Sequence, residues 1–436
     1  MPDVTARGGR GRLRAVLSAA REFPGQFWLI VAATFVFLSS SSLVFPFLAI
    51  YLHDRVHLSL GVVGGLLGLS AIGGLPLQIA GGWWADRHGR RGVVLLSLAS
   101  AALLTAALAV VHGVGPIVVI VLASGGLGWP LFLTATNAIV GDLVPQERTA
   151  EAFGIVRVAL NLGVVFGPMI AGFALAAGLP FPVLFGVSAA ECGGLFVFLA
   201  ARLKETRPTG GAGRGRAPLV AETVTEGAPG MVLEAAGEPA GYRRVLADRR
   251  FLVFCAITLL PLFCYGHIST IYPVFLTQVL HVSYATWGLL LALNAILVVT
   301  LQYPVVRLLQ RHDRLLLVAL ASTLLGLGIG AAAFLADGWP LFALMVVFSL
   351  GEIVFVPLST SLAMGLTTDA ERGRYMGVWS IVWVGGQALA PLLTGAAMDR
   401  LGERPAWALI TVAGLAGGAL YVVLARVGRP RPALTG

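Results

Sequence analysis

The sequence predicts an all-α membrane protein: twelve transmembrane helices in two pseudo-symmetric six-helix bundles. Three observations carry that prediction. Of the 436 residues, 57% are hydrophobic and only 12% charged, with a mean hydropathy of +0.87; the charged share is about half of what soluble domains carry. Apolar runs long enough to cross a hydrocarbon core, roughly 20 residues each, can be placed twelve times. The chain also repeats itself. Gly154, Gly163, Pro168 and Gly172 return 223 positions later as Gly377, Gly386, Pro391 and Gly395. With a slip of one residue, His57, Ser59, Gly64, Leu67, Leu69, Gln78, Arg87 and His88 return as His281, Ser283, Gly288, Leu291, Leu293, Gln302, Arg311 and His312. The matches run in one chain direction, so both halves hold the same number of spans.

Taken in order, residues 1–24 form a basic cytoplasmic N-terminus, of which 1–22 are too basic and too poor in apolar residues for a signal segment, so the first span, 25–51, is expected to insert and stay. Spans two to six follow at 58–83, 92–112, 115–140, 152–178 and 181–202, completing an N-terminal bundle over 25–202. Residues 203–249 change to Gly, Ala, Pro, Glu and Arg and read as a cytoplasmic linker. Such a composition buries too little apolar surface to fold alone, which predicts mobility from about 206 to 238. Tyr242 to Arg250 reads as a short amphipathic helix on the inner leaflet, and Arg12 to Arg21 as a similar one. The second bundle, 250–427, holds spans at 250–279, 284–308, 314–336, 339–364, 375–398 and 404–427, and 428–436 is a cytoplasmic tail. Pro261 and Pro273 in span seven and Pro357 in span ten are expected to bend their helices. Glycines of spans five and eleven fall on one helix face, where they let a neighbouring backbone approach.

With the N-terminus inside, only Arg55, Arg400 and Arg404 of the 30 Lys and Arg fall outside, and the other 27 fall inside. That bias predicts a multi-pass protein of the plasma (inner) membrane with both termini cytoplasmic. It also accounts for the net charge of +9 without nucleic acid. Cys192, Cys255 and Cys264 all lie in spans, with no metal-ligand spacing, and read as buried structural thiols. No metal site and no cofactor are expected.

Two motifs are specific. At the end of span two stands Gly82-Trp-Trp-Ala-Asp86-Arg87-His88-Gly89-Arg90-Arg91, too tight a loop to hold this charge without mutual pairing. It resembles the signature of the major facilitator superfamily, Gly-x-Leu-Ala-Asp-Arg-x-Gly-Arg-Lys, with Trp84 in place of Leu and Arg91 in place of Lys. The resemblance implies a conformational latch in which Gly82, Asp86, Arg87, Gly89 and Arg90 take part, the carboxylate binding a neighbouring helix end and the arginines meeting an acid, with Asp142 as partner. A carboxylate at a helix N-terminus and a guanidinium on a carboxylate both favour the closed state. The copy in the second half is degenerate, Gln310-Arg311-His312-Asp313-Arg314. Span five carries Gly154, Gly163, Gly167, Pro168 and Gly172, which resembles the antiporter motif of the same superfamily, departing from it at Ala171, where a second Gly is usual. The resemblance implies export; the residues alone imply close packing and a kink.

Glu191, His267 and Glu352 lie well inside spans six, seven and ten. Intramembrane ionisable groups are costly and mark ion or substrate paths. The superfamily resemblance implies a cavity lined by spans one, four, seven and ten, which favours Glu352 and His267 as proton-coupling residues over Glu191, a structural or peripheral carboxyl. Glu352 would take a proton from outside and give it up inside. Span four lacks the arginine that related drug antiporters carry there. Substrate contacts are expected near the midplane, from Phe45, Trp129, Thr136 and Asn137 in the first half and Tyr265, Tyr272, Asn294, Trp379, Trp383 and Gln387 in the second. Many aromatics and few charges point to an apolar or amphipathic solute, with no cluster of Arg or Lys for phosphates.

The resulting expectation is a monomeric secondary transporter of the drug:proton antiporter kind. Its partners are small amphipathic substrates, protons and membrane lipid, and the proton gradient is its energy source. A proton-linked or passive uptake carrier for a nutrient or metabolite, and a lipid or glycolipid flippase, are the alternatives. No His-Glu-x-x-His, assembled triad or Walker loop is present, so an enzyme is not expected.

Overall fold

In lipid a backbone must satisfy its own N–H and C=O groups, so apolar runs of this length become helices. The computed structural model describes residues 23–206, 224–225, 228–229, 239–335, 339–368 and 371–427. The first half comprises α1 (Gly25–Asp54), α2 (Leu60–His88), α3 (Arg90–Val110), α4 (Val114–Leu127), α5 (Trp129–Leu143), α6 (Thr149–Ala176) and α7 (Phe181–Arg202). The second comprises α8 (Pro239–Val245), α9 (Arg249–Tyr265), α10 (Tyr272–Val274), α11 (Tyr284–Leu309), α12 (Arg314–Gly330), α13 (Leu341–Gly365), α14 (Arg372–Leu401) and α15 (Glu403–Val427). Among the described residues, 11 helical stretches are long and apolar enough to cross a membrane. Together with the interrupted seventh span they make the twelve crossings expected.

Two spans differ from continuous rods. Span four breaks at Gly128, which takes φ −91° and ψ −105° between α4 and α5. Span seven stops after Tyr265, runs through turns to Ile271, and resumes as α10 and a π turn, Phe275–Val279. Pro273 at the start of α10 has no N–H to join a helix arriving from below. Gly266 lies so near α14 that a Cβ there would stand 2.6 Å from the Gln387 carbonyl. Pro261 and Pro357, by contrast, sit inside uninterrupted helices. The amphipathic helix expected over 242–250 is α8, earlier and shorter, because the Asp248 carboxylate accepts from the Arg250 and Phe251 N–H groups and starts α9 there. Of the linker stretch 206–238, only 206, 224–225 and 228–229 are described, the last four pairing as a two-residue antiparallel ladder. The helix expected over Arg12 to Arg21 lies outside the described residues.

The sequence repeat becomes a pair of matching seams between the halves. Ser59 and Ser283 cap α2 and α11 by accepting from Val62 and Thr286 N–H groups. His57 and His281, just before them, take left-handed φ of 60° and 52°, a conformation in which His is enriched among non-glycine residues. Along α2 and α14, a Cβ on Gly64 would collide with the Pro391 carbonyl and one on Gly395 with the Leu60 carbonyl. Along α6 and α11 the equivalent pairs recur: Gly288 with the Pro168 carbonyl, at 2.6 Å from a Cβ, and Gly172 with that of Tyr284. All four contacts cluster at the membrane end away from the linker. There Asp399 accepts from the Gly61 N–H at 2.8 Å and Gln278 donates to Asp54 at 2.7 Å. Further along the same face of α2, Ile72, Ile79 and Trp83 are exposed, and opposite them Ile381 of α14 is exposed as well. Along α2 and α14 the halves therefore touch at the far end and part toward the linker.

Candidate functional site: a cavity between the halves

The parting encloses a cavity of about 430 Å³. Phe45 and Ser41 of α1, Trp129 at the start of α5, Tyr265 at the end of α9, Asn294 of α11, Glu352 of α13 and Gln387 of α14 line it, as do residues of α2, α3 and α6. Glu352 is fixed from two sides. Asn294 Nδ2 donates to its Oε2 at 2.7 Å and Tyr265 OH donates to its Oε1 at 3.1 Å, while the same Asn294 nitrogen reaches Ser349 Oγ at 3.1 Å. Three helices thus converge on one carboxyl that is only 4% exposed.

Arg157 was not singled out by sequence reasoning, which assigned it to the basic residues of the inner face. It stands in the apolar run Ile155-Val156-Arg157-Val158-Ala159-Leu160, about two turns into α6, lines the cavity with Tyr265 and Glu352, and borders a small side pocket with these two and Gln302. Its Nη2 donates to Gln302 Oε1 of α11 at 2.8 Å, across the halves. The signal was present in the sequence: a lone charge inside an apolar span. The cavity therefore holds a cationic side chain as well as an acidic one.

Other expected residues face elsewhere. Trp379 and Trp383 are fully buried in the second half, Trp379 stacked on Phe254 and Trp383 on Phe355. Tyr272 is buried between Trp287 and Trp407. Thr136 turns its hydroxyl onto the Phe132 carbonyl, and neither it nor Asn137 borders the cavity. His267 is buried at the break of span seven, with Nε2 at 2.7 Å from Thr394 Oγ1 and Nδ1 at 3.3 Å from the Cys264 carbonyl. Glu191 lies on α7, away from the cavity, near the bonded pair Ser40 and Ser188. Cys192, Cys255 and Cys264 are free and buried.

At the linker end of the first half, Arg90 Nε lies 2.6 Å from Asp142 Oδ2 and Arg90 Nη2 lies 3.6 Å from Asp86. The Arg90–Asp142 pair is close in distance, although the Nε–H is not aimed at the oxygen. Both side chains are mostly buried, at 14% and 15% exposure, whereas Asp86 is 75% exposed. Gly89, at φ +107°, turns the chain into α3, and the Glu205 carboxylate occupies the place of its missing Cβ while accepting from the Arg90 and Arg91 N–H groups. Arg87 lies over the Trp83 ring at 5.3 Å. A Cβ on Gly82 would make ordinary contact with Thr134. The glycines of α6 pack as follows: Gly163 and Gly167 on Ser39 of α1, Gly172 on α11, and Gly154 on nothing within 4 Å.

Comparison with known proteins places this architecture. The family model described as Major Facilitator Superfamily matches residues 30–322 and again 254–435. The chain belongs to the major facilitator superfamily. It is 27% identical over 80% of its length to a Na(+), Li(+), K(+)/H(+) antiporter of Planococcus maritimus, covering 84% of that protein. It is 29% identical over 83% of its length to the multidrug resistance protein MdtH of Cronobacter sakazakii, covering 83% of it. Among solved structures, the nucleoside transporter NupG superposes with a TM-score of 0.74 at 12% identity, over 92% of this chain and 100% of that one. This major facilitator protein is therefore a multi-pass membrane protein and a secondary transporter, not an enzyme.

Proposed function

We propose that this transporter exports amphipathic small molecules, drugs among them, in exchange for protons. It works by alternating access as a monomer in the plasma (inner) membrane, with both termini cytoplasmic. The observation that carries the reading is Glu352, a carboxyl set in the cavity wall with its two oxygens held by Asn294 and Tyr265. Charge in such a place is costly, so an ionised Glu352 needs a counter-charge, and exchange follows when an arriving solute takes the place of the proton. The bias of basic residues to the linker side supports the orientation. Relatives named for multidrug resistance and for cation/H+ antiport support the coupling. The exposed Asp86 supports the latch: in the alternate state it would dock at a neighbouring helix end, where a carboxylate is favoured at an N-terminus.

The test is dye or drug flux in everted vesicles under an imposed pH gradient. Gradient-driven accumulation is expected in the native protein and is expected to vanish in Glu352→Gln, with the protein still present in the membrane. Flux that persists unchanged in the variant removes Glu352 from the coupling step.

A further inference from the structure

Among the described residues, the cavity's one acidic and one cationic side chain, Glu352 and Arg157, are set by this chain rather than by its internal symmetry. The repeat offset of 223 places Ser380 where the first half has Arg157, and Trp129 where the second half has Glu352. Nothing in the duplicated architecture therefore requires either charge. Yet both border one small space, together with Gln302 and Tyr265. Around the carboxyl stand Tyr265 from α9, Asn294 and Gln302 from α11, Ser349 from its own helix, and Arg157 from α6. Arg157 is the only cation among them, and it is hydrogen-bonded to a neutral amide oxygen at 2.8 Å.

We infer that Arg157 is the charge-selecting residue of the cavity, a resident counter-cation for Glu352 that an amphipathic cation displaces, with Gln302 as the acceptor on which it rests. Opposite charges a few ångströms apart in a poorly hydrated site attract strongly, and like charges repel as strongly. A cationic solute stabilises the ionised carboxyl and so favours proton release, which is the linkage that exchange requires. An anionic solute would draw Arg157 away, leave the carboxyl without its counter-charge and favour proton uptake alongside the solute, which is the linkage of co-transport. The residue thus ties the sign of the solute's charge to the direction of coupled movement. The inference rests on the exchange reading above and narrows its substrates to cations.

Tetraphenylphosphonium and tetraphenylborate, ions of nearly equal shape and opposite charge, separate the two cases. Their binding to the full chain in lipid nanodiscs is measured by equilibrium dialysis at fixed pH, against empty discs. Arg157→Gln is expected to tighten the phosphonium about tenfold and to weaken the borate by a similar factor, while Arg157→Lys keeps the native preference. Gln302→Ala, which takes away the resting acceptor and leaves Arg157 to Glu352, is expected to weaken the phosphonium. Both ions shifting in the same direction in Arg157→Gln would mark a packing role and overturn the inference, as would no change, or no binding of either ion to any of these proteins. These readings need no gradient. Altered charge preference without gradient-driven flux would keep Arg157 and lose antiport, and gradient-driven flux without charge preference would do the reverse.

Discussion

A glycine's worth depends on what stands where its side chain would be, and here that varies from span to span. A Cβ on Gly64 would meet the Pro391 carbonyl, a backbone atom that cannot swing aside, whereas one on Gly154 would meet open space. Overpacking a tight contact costs about 1–3 kcal/mol, so Gly64→Ala is expected to hold the far end open and to cut flux about tenfold or more. Gly154→Ala should stay within about twofold, as exposed substitutions do. Flux per amount of protein in the membrane compares them directly, and equal losses would show that the contact does not limit closure. The same scale marks what could be read in advance. Glu352, Asn294 and Tyr265 were each visible as polar groups in apolar spans, yet that they meet on one carboxyl depends on the rotation of three helices. Arg157 was legible as an intramembrane charge, but its nearness to the start of span five made it resemble a loop residue. Trp379 and Trp383 show the opposite failure: an aromatic on an apolar helix packs as well as it binds, and only the packing direction tells the two apart.

Among the elements, the twelve spans followed from apolar length because lipid leaves the backbone no other solution. The interruptions did not, since Gly128 and Gly266 are two glycines among 55; the Gln387 carbonyl beside it distinguishes Gly266, and its backbone angles distinguish Gly128. The turn joining α2 to α3 is a case where motif and structure converge. Arg90 closes on Asp142 of α5, and Glu205 at the root of the linker accepts from the start of α3, so three helices and the linker meet in one charged knot. Removing one member of a mostly buried pair costs more than the pair itself contributes, because a charge is left behind. Asp142→Asn is therefore expected to destabilise the first bundle by about 3 kcal/mol, and Arg90→Gln made in the same chain to recover part of that loss. A double-mutant cycle on thermal unfolding in detergent measures the coupling. Additive single effects would show that Arg90 and Asp142 do not act as a unit.

At the scale of the whole molecule, the two glycine seams are matched but their polar pins are not. The α2–α14 seam is pinned at the far end by Asp399 on the Gly61 N–H, while the α6–α11 seam is pinned on the linker side by Arg157 on Gln302. The repeat offsets put Ala176 and Ala285 where the first pin would have its twin, so the α6–α11 seam has no equivalent bond there. This arrangement makes α6 and α11 the hinge side and α2 and α14 the side that parts, with Ile72, Ile79 and Trp83 uncovered along the opening. The far-end pin then sets the balance between states. A carboxylate on an exposed helix N-terminus contributes up to about 1 kcal/mol, and a change of that size moves a two-state ratio about fivefold. Asp399→Asn is expected to shift the population by that factor toward a form open at the far end. Spin labels placed by Val62→Cys with Arg400→Cys, and by Trp83→Cys with Gly373→Cys, report the two ends of the seam. In the variant the first distance should lengthen as the second shortens, because a rigid bundle rocking about the α6–α11 side cannot open one end without closing the other. Both distances lengthening together would mean that the bundles separate bodily, and the asymmetry of the pins would then have no part in the motion.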